Sequence, residues 1–309
     1  MKVIAVWYRK YEFASLSGIL LLVGNVGGIA AAYPMVAMCN SMGLQNTYIV
    51  LAILTFAVAV AAGLLLRNHP SEMQLPSIES IVAEETNKPV AESTSGSVPM
   101  VEALKRTFTS GRKFWPLAVW YFFTYGTIML WQALQAGMYY RNVYGWDSTQ
   151  FGLLLTLVGV GMVLGCLLAG YLSDKLLRSR KKVICFGAVC YTAVWTVIWL
   201  TAGDLASWGM QAAINFCFGF FGGFFVVCYA QIKELFPISM AGTSTAVLNL
   251  FPFAGGALFT IVGGLIVKTE VASEYLGEYR TLWLLAVICM LIATFCAFIS
   301  VENKADIKQ

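Results

Sequence analysis

Apolar runs of about 20 residues recur along the chain, and they restrict its fold more than any other feature. A helix needs roughly 20 residues to cross the hydrocarbon core of a bilayer, whereas a barrel strand needs about 10 residues of alternating polarity. Inside lipid, every backbone amide must be paired within the protein, so only helices and closed barrels are stable there. The run length therefore predicts an all-α, polytopic membrane helical bundle.

The overall composition supports the same class. Of the 309 residues, 59% are hydrophobic and 12% are charged, whereas an average soluble domain carries roughly 25% charged residues. A soluble fold of this length cannot hide so much apolar surface, because its exterior must remain wettable. We therefore expect an integral multi-pass protein in contact with the lipid bilayer.

Eight apolar spans are expected, and a polar segment separates the second from the third. The segment from Arg67 to Lys113 contains four prolines and many serine, threonine and glutamate residues, which is typical of a solvated linker. Within it, Val101 to Phe108 could form a short surface helix. The expected organisation is two spans over 1–66, a cytoplasmic linker over 67–113, a six-helix bundle over 114–302 and a cytoplasmic tail over 303–309. The spans run roughly over 13–33, 46–66, 114–138, 150–172, 183–203, 208–231, 241–267 and 280–301.

The basic residues are sorted to one side of these spans. If residue 1 is cytoplasmic, only Arg141, Lys268 and Arg280 of the 20 lysines and arginines fall in outside loops. Lysine and arginine concentrate in the cytoplasmic loops of membrane proteins. Both termini are therefore predicted to be cytoplasmic, in the plasma (inner) membrane if the source is bacterial. This sorting explains the net charge of +4, so the charge does not indicate a nucleic-acid partner, and we expect none.

The sequence shows no residue pattern that is typical of a metal site, a cofactor site or an enzyme active site. The eight cysteines lie within or beside apolar runs without a Cys-x-x-Cys pair, and His69 is the single histidine. A membrane enzyme needs metal ligands, an acidic pair or a nucleophile cluster near the membrane surface. We expect no metal, no cofactor and no enzymatic activity. All 16 acidic residues lie in loops, termini or span edges, so these spans predict no proton relay at mid-membrane.

The loop after the fourth span carries a recognisable pattern. It reads Gly170-Tyr171-Leu172-Ser173-Asp174-Lys175, followed by Arg178, Arg180, Lys181 and Lys182. This pattern resembles the signature loop of the major facilitator superfamily, which lies between the second and third spans of each six-span half. The sequence departs from the family at Leu176-Leu177, where a glycine is usual. A loose internal repeat agrees with parallel halves, since Trp7-Tyr8, Gly18 and Gly27-Gly28 correspond to Leu235-Phe236, Gly242 and Gly255-Gly256.

The resemblance covers essentially the whole chain and matches it to spans five to twelve of twelve. The family's first four spans would then be missing, and Met1 would be an internal start, a truncation or the start of a genuine short form. The resemblance also implies a gating loop, formed by Gly170, Asp174, Lys175 and Arg178. Asp174 would be held at a helix N-terminus or by a basic residue of a neighbouring span, and released as the inner gate opens. The alternative interpretation is a plain positively charged anchor.

Polar residues gather on one side of the third span. At about 100° per residue they occupy an arc of roughly 100°, and they are Tyr121, Thr124, Tyr125, Gln132, Gln135 and Tyr139. Such groups are costly in hydrocarbon unless they meet partners or water. They predict a wall of a solute cavity, which agrees with the cavity-lining role of this span in the family. The alternative is hydrogen bonding between helices.

The sixth span shows a weaker version of this pattern. Gln211, Asn215 and Tyr229 share a face with Phe218, Gly222 and Phe225, and this span also lines the family's cavity by resemblance. Aromatic residues at this spacing also suit simple packing. We interpret the tryptophans of the spans as interface anchors or core fillers, namely Trp131, Trp195, Trp199 and Trp208.

The sequence favours a secondary active transporter that moves a small solute by alternating access. The linker stretch Leu75-Pro76-Ser77-Ile78-Glu79 is similar to a motif of organophosphate antiporters, but the third span lacks the arginine with which that family holds phosphate. The expected solute is therefore neutral or an organic anion, with a proton or a sodium ion as coupling ion. The alternatives are a transporter-like membrane sensor, which binds solute without flux, and an inactive fragment.

Overall fold

The computed structural model describes residues 7, 10–65, 67, 70–73, 100–268 and 275–303, and no strand occurs among them. The predicted all-α fold is thus confirmed. The chain divides into two compact units, Met1–Ser95 and Gly96–Gln309. Most of the predicted linker, 74–99, and the tail from residue 304 onward lie outside the described residues.

The first unit is built on helix α1, Lys10–Leu65, which is interrupted at Gly43. Gly43 has a φ of 81°, a conformation that only glycine adopts at little cost. The first two predicted spans fall on either side of this break. The part after it, Ser41–Leu65, is long and apolar enough to cross a membrane. Phe56, Leu64 and Leu65 are exposed there, as expected of a surface in contact with lipid.

The second unit contains a short linker helix followed by a bundle. Helix α2, Met100–Thr109, confirms the helix predicted over Val101 to Phe108. The remaining helices are α3 (Trp115–Leu130), α4 (Ala136–Tyr144), α5 (Ser148–Tyr171), α6 (Arg180–Leu200), α7 (Trp208–Gly222), α8 (Val227–Leu235), α9 (Ile238–Leu248), α10 (Leu250–Ile266) and α11 (Tyr275–Ile299). Single π or 3-10 turns join α3 to α4 and α7 to α8, so each of these pairs forms one continuous helical segment.

Six of the eight predicted spans are confirmed as helices long and apolar enough to cross a membrane. Besides Ser41–Leu65 they are Ser148–Leu176, Arg180–Leu200, Trp208–Leu235, Met240–Ile266 and Tyr275–Ile299. The third predicted span coincides with α3 and α4, which carry the tryptophan, tyrosine and glutamine residues that lower its hydropathy. The first, 13–33, is helical, and the spanning role of these two segments stays a prediction.

Glycines set the closest helix contacts of the bundle, as their small size predicts. A Cβ atom at Gly165 of α5 would collide with the carbonyl oxygen of Phe220, and one at Gly219 of α7 would collide with that of Val158. A Cβ atom at Gly255 of α10 would likewise collide with the carbonyl oxygen of Phe122 in α3. These contacts bring α5 against α7 and α3 against α10, and so position the helices that carry the polar residues.

Candidate functional site

A π turn at Trp131–Gln135 interrupts the polar span between α3 and α4. A π turn accommodates one extra residue and rotates the following helix relative to an uninterrupted 3.6-residue repeat. The shared face predicted for the six polar residues of this span contains this turn, and it stays a prediction. Tyr121 and Tyr125 both contact Phe225, Gln135 lies beside Gly263 of α10, and Tyr139 contacts α11.

The residues before the π turn form a cluster with α8 and α10. The Tyr121 hydroxyl lies 2.8 Å from the Tyr229 hydroxyl, which in turn donates to the side-chain oxygen of Asn249 at 2.5 Å. Tyr121 is buried, while Tyr229 and Asn249 are half-buried. We call this the tyrosine cluster, and it comprises Tyr121, Tyr125, Tyr229 and Asn249 with the rings of Phe225 and Phe253.

The aromatic rings of this cluster enclose its polar groups. Phe225 stacks on Tyr121 at a centroid distance of 5.7 Å and meets Tyr125 edge-on at 5.3 Å. Phe253 of α10 meets Tyr125 from the other side at 6.4 Å and is 65% exposed. No described residue hydrogen-bonds the Tyr125 hydroxyl. The cluster therefore offers neutral donors and acceptors beside exposed aromatic faces.

The other polar residues of this span have separate positions. Gln132 is half-buried in the π turn. Gln135 is buried beside Gly263 of α10, and its side-chain oxygen has no partner among the described residues. The hydroxyl of Thr124 is likewise buried and unpaired within the described part of the chain. Unsatisfied buried polar atoms are uncommon in folded proteins, so Gln135 and Thr124 stand out from the other residues of this span.

Gln211 and Asn215 of α7 belong to a closed hydrogen-bond network. The Asn215 side-chain oxygen accepts from the Trp131 indole at 3.0 Å, and its amide group donates to the Tyr140 hydroxyl at 2.6 Å and to the Gln211 carbonyl at 2.8 Å. Tyr140 in turn donates to the Gln211 side-chain oxygen at 3.1 Å. These groups are saturated by protein, so the geometry gives both residues a positioning role.

Tyr139 also packs away from the tyrosine cluster. Its ring contacts Tyr279 and Trp283 of α11, and its hydroxyl pairs with that of Tyr144 and accepts from the Gly203 amide. Trp131 and Trp195 are fully buried in the same aromatic core, which fits the expected filler role. Trp199 is half-buried, and Trp208, 39% exposed, donates to the Gln150 carbonyl.

The predicted gating loop forms an ionic network at its end of the bundle. Asp174 accepts from the Arg180 guanidinium, which also donates to a Glu234 oxygen at 2.9 Å and to Ser173. Arg180 is the first residue of α6 and Glu234 lies in the last turn of α8. The basic partner of Asp174 is thus Arg180, which begins the adjacent span.

A carboxylate after α11 completes this network. Glu302 accepts from the Ser179 hydroxyl at 2.8 Å and from the backbone amides of Arg180 and Lys181. Helix N-termini have unpaired amides and a partial positive charge, so a carboxylate stabilises them. The chain after the last span is thereby tied to the loop.

The remaining residues of the predicted gating loop, Lys175, Arg178 and Gly170, lie outside the ionic network. Leu172–Leu176 forms a π turn, and the Lys175 ammonium lies 5.8 Å from the centre of the Tyr171 ring. Arg178 has a φ of 44°, in the left-handed region that favours glycine. Gly170 has open space beside it. Within the described residues there is no group of three or more metal-ligating side chains.

A family model described as Major Facilitator Superfamily matches residues 1–201 and again residues 128–309. The chain belongs to the Major Facilitator Superfamily. This membership confirms the resemblance carried by the loop at Asp174, and it places the chain in a family of transporters rather than enzymes. Together with the six apolar helices, it makes the chain an integral multi-pass membrane protein.

Curated relatives are distant and longer than this chain. It is 25% identical to the "Membrane sensor protein UhpC" of Salmonella typhimurium over 83% of this chain and 58% of that protein. It is 24% identical to a "Probable hexose phosphate transport protein" of Chlamydia muridarum over 81% of this chain and 57% of that protein. It is 23% identical to a "Probable L-galactonate transporter" of Escherichia coli over 87% of this chain and 59% of that protein. The chain thus spans less than two thirds of the length of these relatives.

Proposed function

We propose that this protein is a secondary active transporter that moves a small solute across the membrane by alternating access. The tyrosine cluster carries the proposal, because it gathers neutral hydrogen-bonding groups on a half-exposed face of three spans. Polar groups inside a bilayer are expensive unless they face water, protein partners or cargo. The superfamily membership supports the same function.

The ionic network supports a gate at the end of the bundle that carries Asp174. Arg180 joins Asp174 to Glu234, and so links the loop after α5 to α6 and α8. Since the basic residues concentrate at this end, we place it on the cytoplasmic side, with both termini cytoplasmic. Opening this end requires the charged partners to separate, which gives the transport cycle a discrete closed state.

The proposed solute is small and oxygen-rich, either neutral or an organic anion. Two relatives are named for hexose phosphate and L-galactonate, both of which combine several hydroxyl groups with an anionic group. The tyrosine cluster has no charged side chain and suits the hydroxylated part of such a solute. An anionic group would need a cation from elsewhere, either a basic residue or a coupling proton or sodium ion.

One relative favours a second function, in which the protein binds solute and signals without flux. That relative is named as a membrane sensor protein. A sensor and a transporter share a binding site, so only net movement of solute distinguishes them.

Uptake into proteoliposomes separates these functions. The purified chain would be reconstituted and given labelled glucose 6-phosphate, L-galactonate or glucose, each with and without an imposed proton or sodium gradient. A transporter accumulates at least one of these solutes above protein-free liposomes. Saturable binding without uptake would support the sensor, and neither binding nor uptake would contradict the proposed solute class.

A further inference from the structure

Asn249 lies at the junction between α9 and α10, where the helix is interrupted. Pro252 follows three residues later and has no N–H to donate to the Leu248 carbonyl four residues before it, which weakens the helix at this point. Asn249 is the eleventh residue after Ile238, the first residue of α9. At 1.5 Å per residue, Asn249 lies about 16 Å along the span, near the middle of a hydrocarbon core of about 30 Å.

The hydrogen-bond directions around Asn249 follow from the number of protons. The Tyr229 hydroxyl has one proton, and it donates this proton to the Asn249 side-chain oxygen at 2.5 Å. The Tyr121 hydroxyl, 2.8 Å from Tyr229, must therefore donate its own proton to Tyr229. The oxygen of the Asn249 amide is thus occupied, and the orientation of the amide is fixed.

The amide nitrogen of Asn249 remains available. Its two protons meet no hydrogen-bond acceptor among the described residues, although the side chain is half-buried. A primary amide facing lipid tails at this depth would lose the hydrogen bonds that it makes in water. The nitrogen is therefore able to donate to water or to a ligand, in the cluster that also contains Tyr125 and the exposed ring of Phe253.

We infer that Asn249 is a solute-binding residue whose amide nitrogen donates to an acceptor oxygen of the solute. The inference rests on the proposed function and names one contact of that site. Tyr121 and Tyr229 are positioning residues, because they orient the amide without needing to touch the solute. The half-buried ring of Tyr125 and the exposed ring of Phe253 provide apolar faces for the carbon skeleton, so the site fits an oxygen-rich organic solute with a compact ring or chain.

Thiol accessibility tests the position of Asn249 without requiring transport. Asn249→Cys and the matched control Leu248→Cys, whose side chain is fully buried, would be treated in membranes with a charged, water-soluble methanethiosulfonate, with the wild-type cysteines as background. The inference predicts modification of position 249 at least about tenfold faster than position 248, and slower modification when a bound probe solute covers it. An unreactive position 249 would overturn the inference.

Two substitutions separate solute contact from a structural role. Asn249→Asp keeps an oxygen for Tyr229 but removes both donated protons, so binding of the uncharged probe glucose, which the new carboxylate does not repel, should weaken at least about tenfold while thermal unfolding changes little. Tyr229→Phe keeps the Asn249 amide but removes the hydrogen bond that orients it. A smaller loss of solute affinity is therefore expected. Unchanged affinity in Asn249→Asp would overturn the inference.

The outcome for the inferred contact is distinguishable from the outcome for transport. If a probe protects position 249 from modification but does not accumulate, the contact stands and the transport proposal fails. If a probe accumulates in the wild-type protein but neither protects position 249 nor binds more weakly to Asn249→Asp, the contact is wrong and transport stands.

Discussion

The Arg180 guanidinium donates to a Glu234 carboxylate oxygen at 2.9 Å, joining the first residue of α6 to the last turn of α8. The side chains of Arg180 and Glu234 are only 15% and 19% exposed, whereas that of Asp174 is 60% exposed. Burial weakens screening by water and salt. The Arg180–Glu234 pair is therefore the firm part of this network, and the pair with Asp174 is the part that opens more easily.

Replacing Arg180 should destabilise the protein strongly. Arg180→Gln removes the guanidinium bonded to Glu234 in a partly buried site, and removal of one partner from such a pair costs about 3 kcal/mol. Thermal unfolding in detergent would measure this as a clear drop in midpoint. Lys182→Gln, an exposed residue of the same turn, is the control and should change the midpoint little. Equal effects of the two substitutions would contradict the assigned role of Arg180.

Asp174→Asn should slow the transport cycle more than it weakens solute binding. The substitution removes the charge that pairs with Arg180, but it leaves the tyrosine cluster untouched. Initial uptake rates and equilibrium binding, measured on the same preparation, should therefore change by different factors. Parallel losses of binding and uptake, with a lower unfolding midpoint, would indicate misfolding instead of a gating defect.

Arg178→Gly should stabilise the loop. Arg178 adopts a φ of 44°, and relief of left-handed strain at a non-glycine residue is worth about 1 kcal/mol. The gain should appear as a higher unfolding midpoint. Leu176→Gly, in the helical π turn of the same loop, is the control and should lower the midpoint because glycine weakens helices. A destabilised Arg178→Gly would show that the arginine side chain makes a needed contact.

Tyr125→Phe and Gln132→Leu should lower solute affinity while leaving membrane insertion unchanged. Neither polar group is hydrogen-bonded to a described residue, so little protein structure depends on it. Loss of one hydrogen bond to the solute corresponds to a roughly fivefold to tenfold weaker Kd. Undiminished binding in both variants would remove these residues from the proposed site.

Asn215→Leu should instead lower stability. It leaves the buried Trp131 indole without an acceptor and removes two further hydrogen bonds, at a cost of about 2 kcal/mol. The control Thr156→Val loses only a local bond to the Gly152 carbonyl on an exposed face. If Asn215→Leu unfolds like the wild-type protein but binds solute more weakly, Asn215 touches the solute and the network has been misinterpreted.

The sequence predicts the spans and the loop well, because both depend on local composition. Apolar length alone identifies the helices, and the pattern around Asp174 identifies the ionic loop. The neighbours of each polar residue in the third span could not be predicted, because the π turn at Trp131–Gln135 adds a residue that no local signal reveals. Arg180 and Glu234 are 54 residues apart, so their pairing depends on the packing of α6 against α8.

Asn249 is the hydrogen-bonding residue of the tyrosine cluster that the sequence analysis missed. A signal was present, since an asparagine inside an apolar span and three residues before Pro252 is unusual. Its role still depends on contacts that the sequence does not show, above all the hydrogen bond from Tyr229. Gln211 and Asn215 show the reverse case, because the hydrogen-bonding groups of their polar helical face are satisfied by other residues of the protein.

Counterflow in proteoliposomes tests the proposed transport function most directly. Vesicles that contain the wild-type protein would be loaded with unlabelled L-galactonate or glucose 6-phosphate and diluted into a trace of the same labelled solute. Alternating access at the tyrosine cluster predicts a transient accumulation of label above its equilibrium level, which is reduced in Tyr125→Phe. Label that binds saturably yet never rises above equilibrium in the wild-type protein would contradict it.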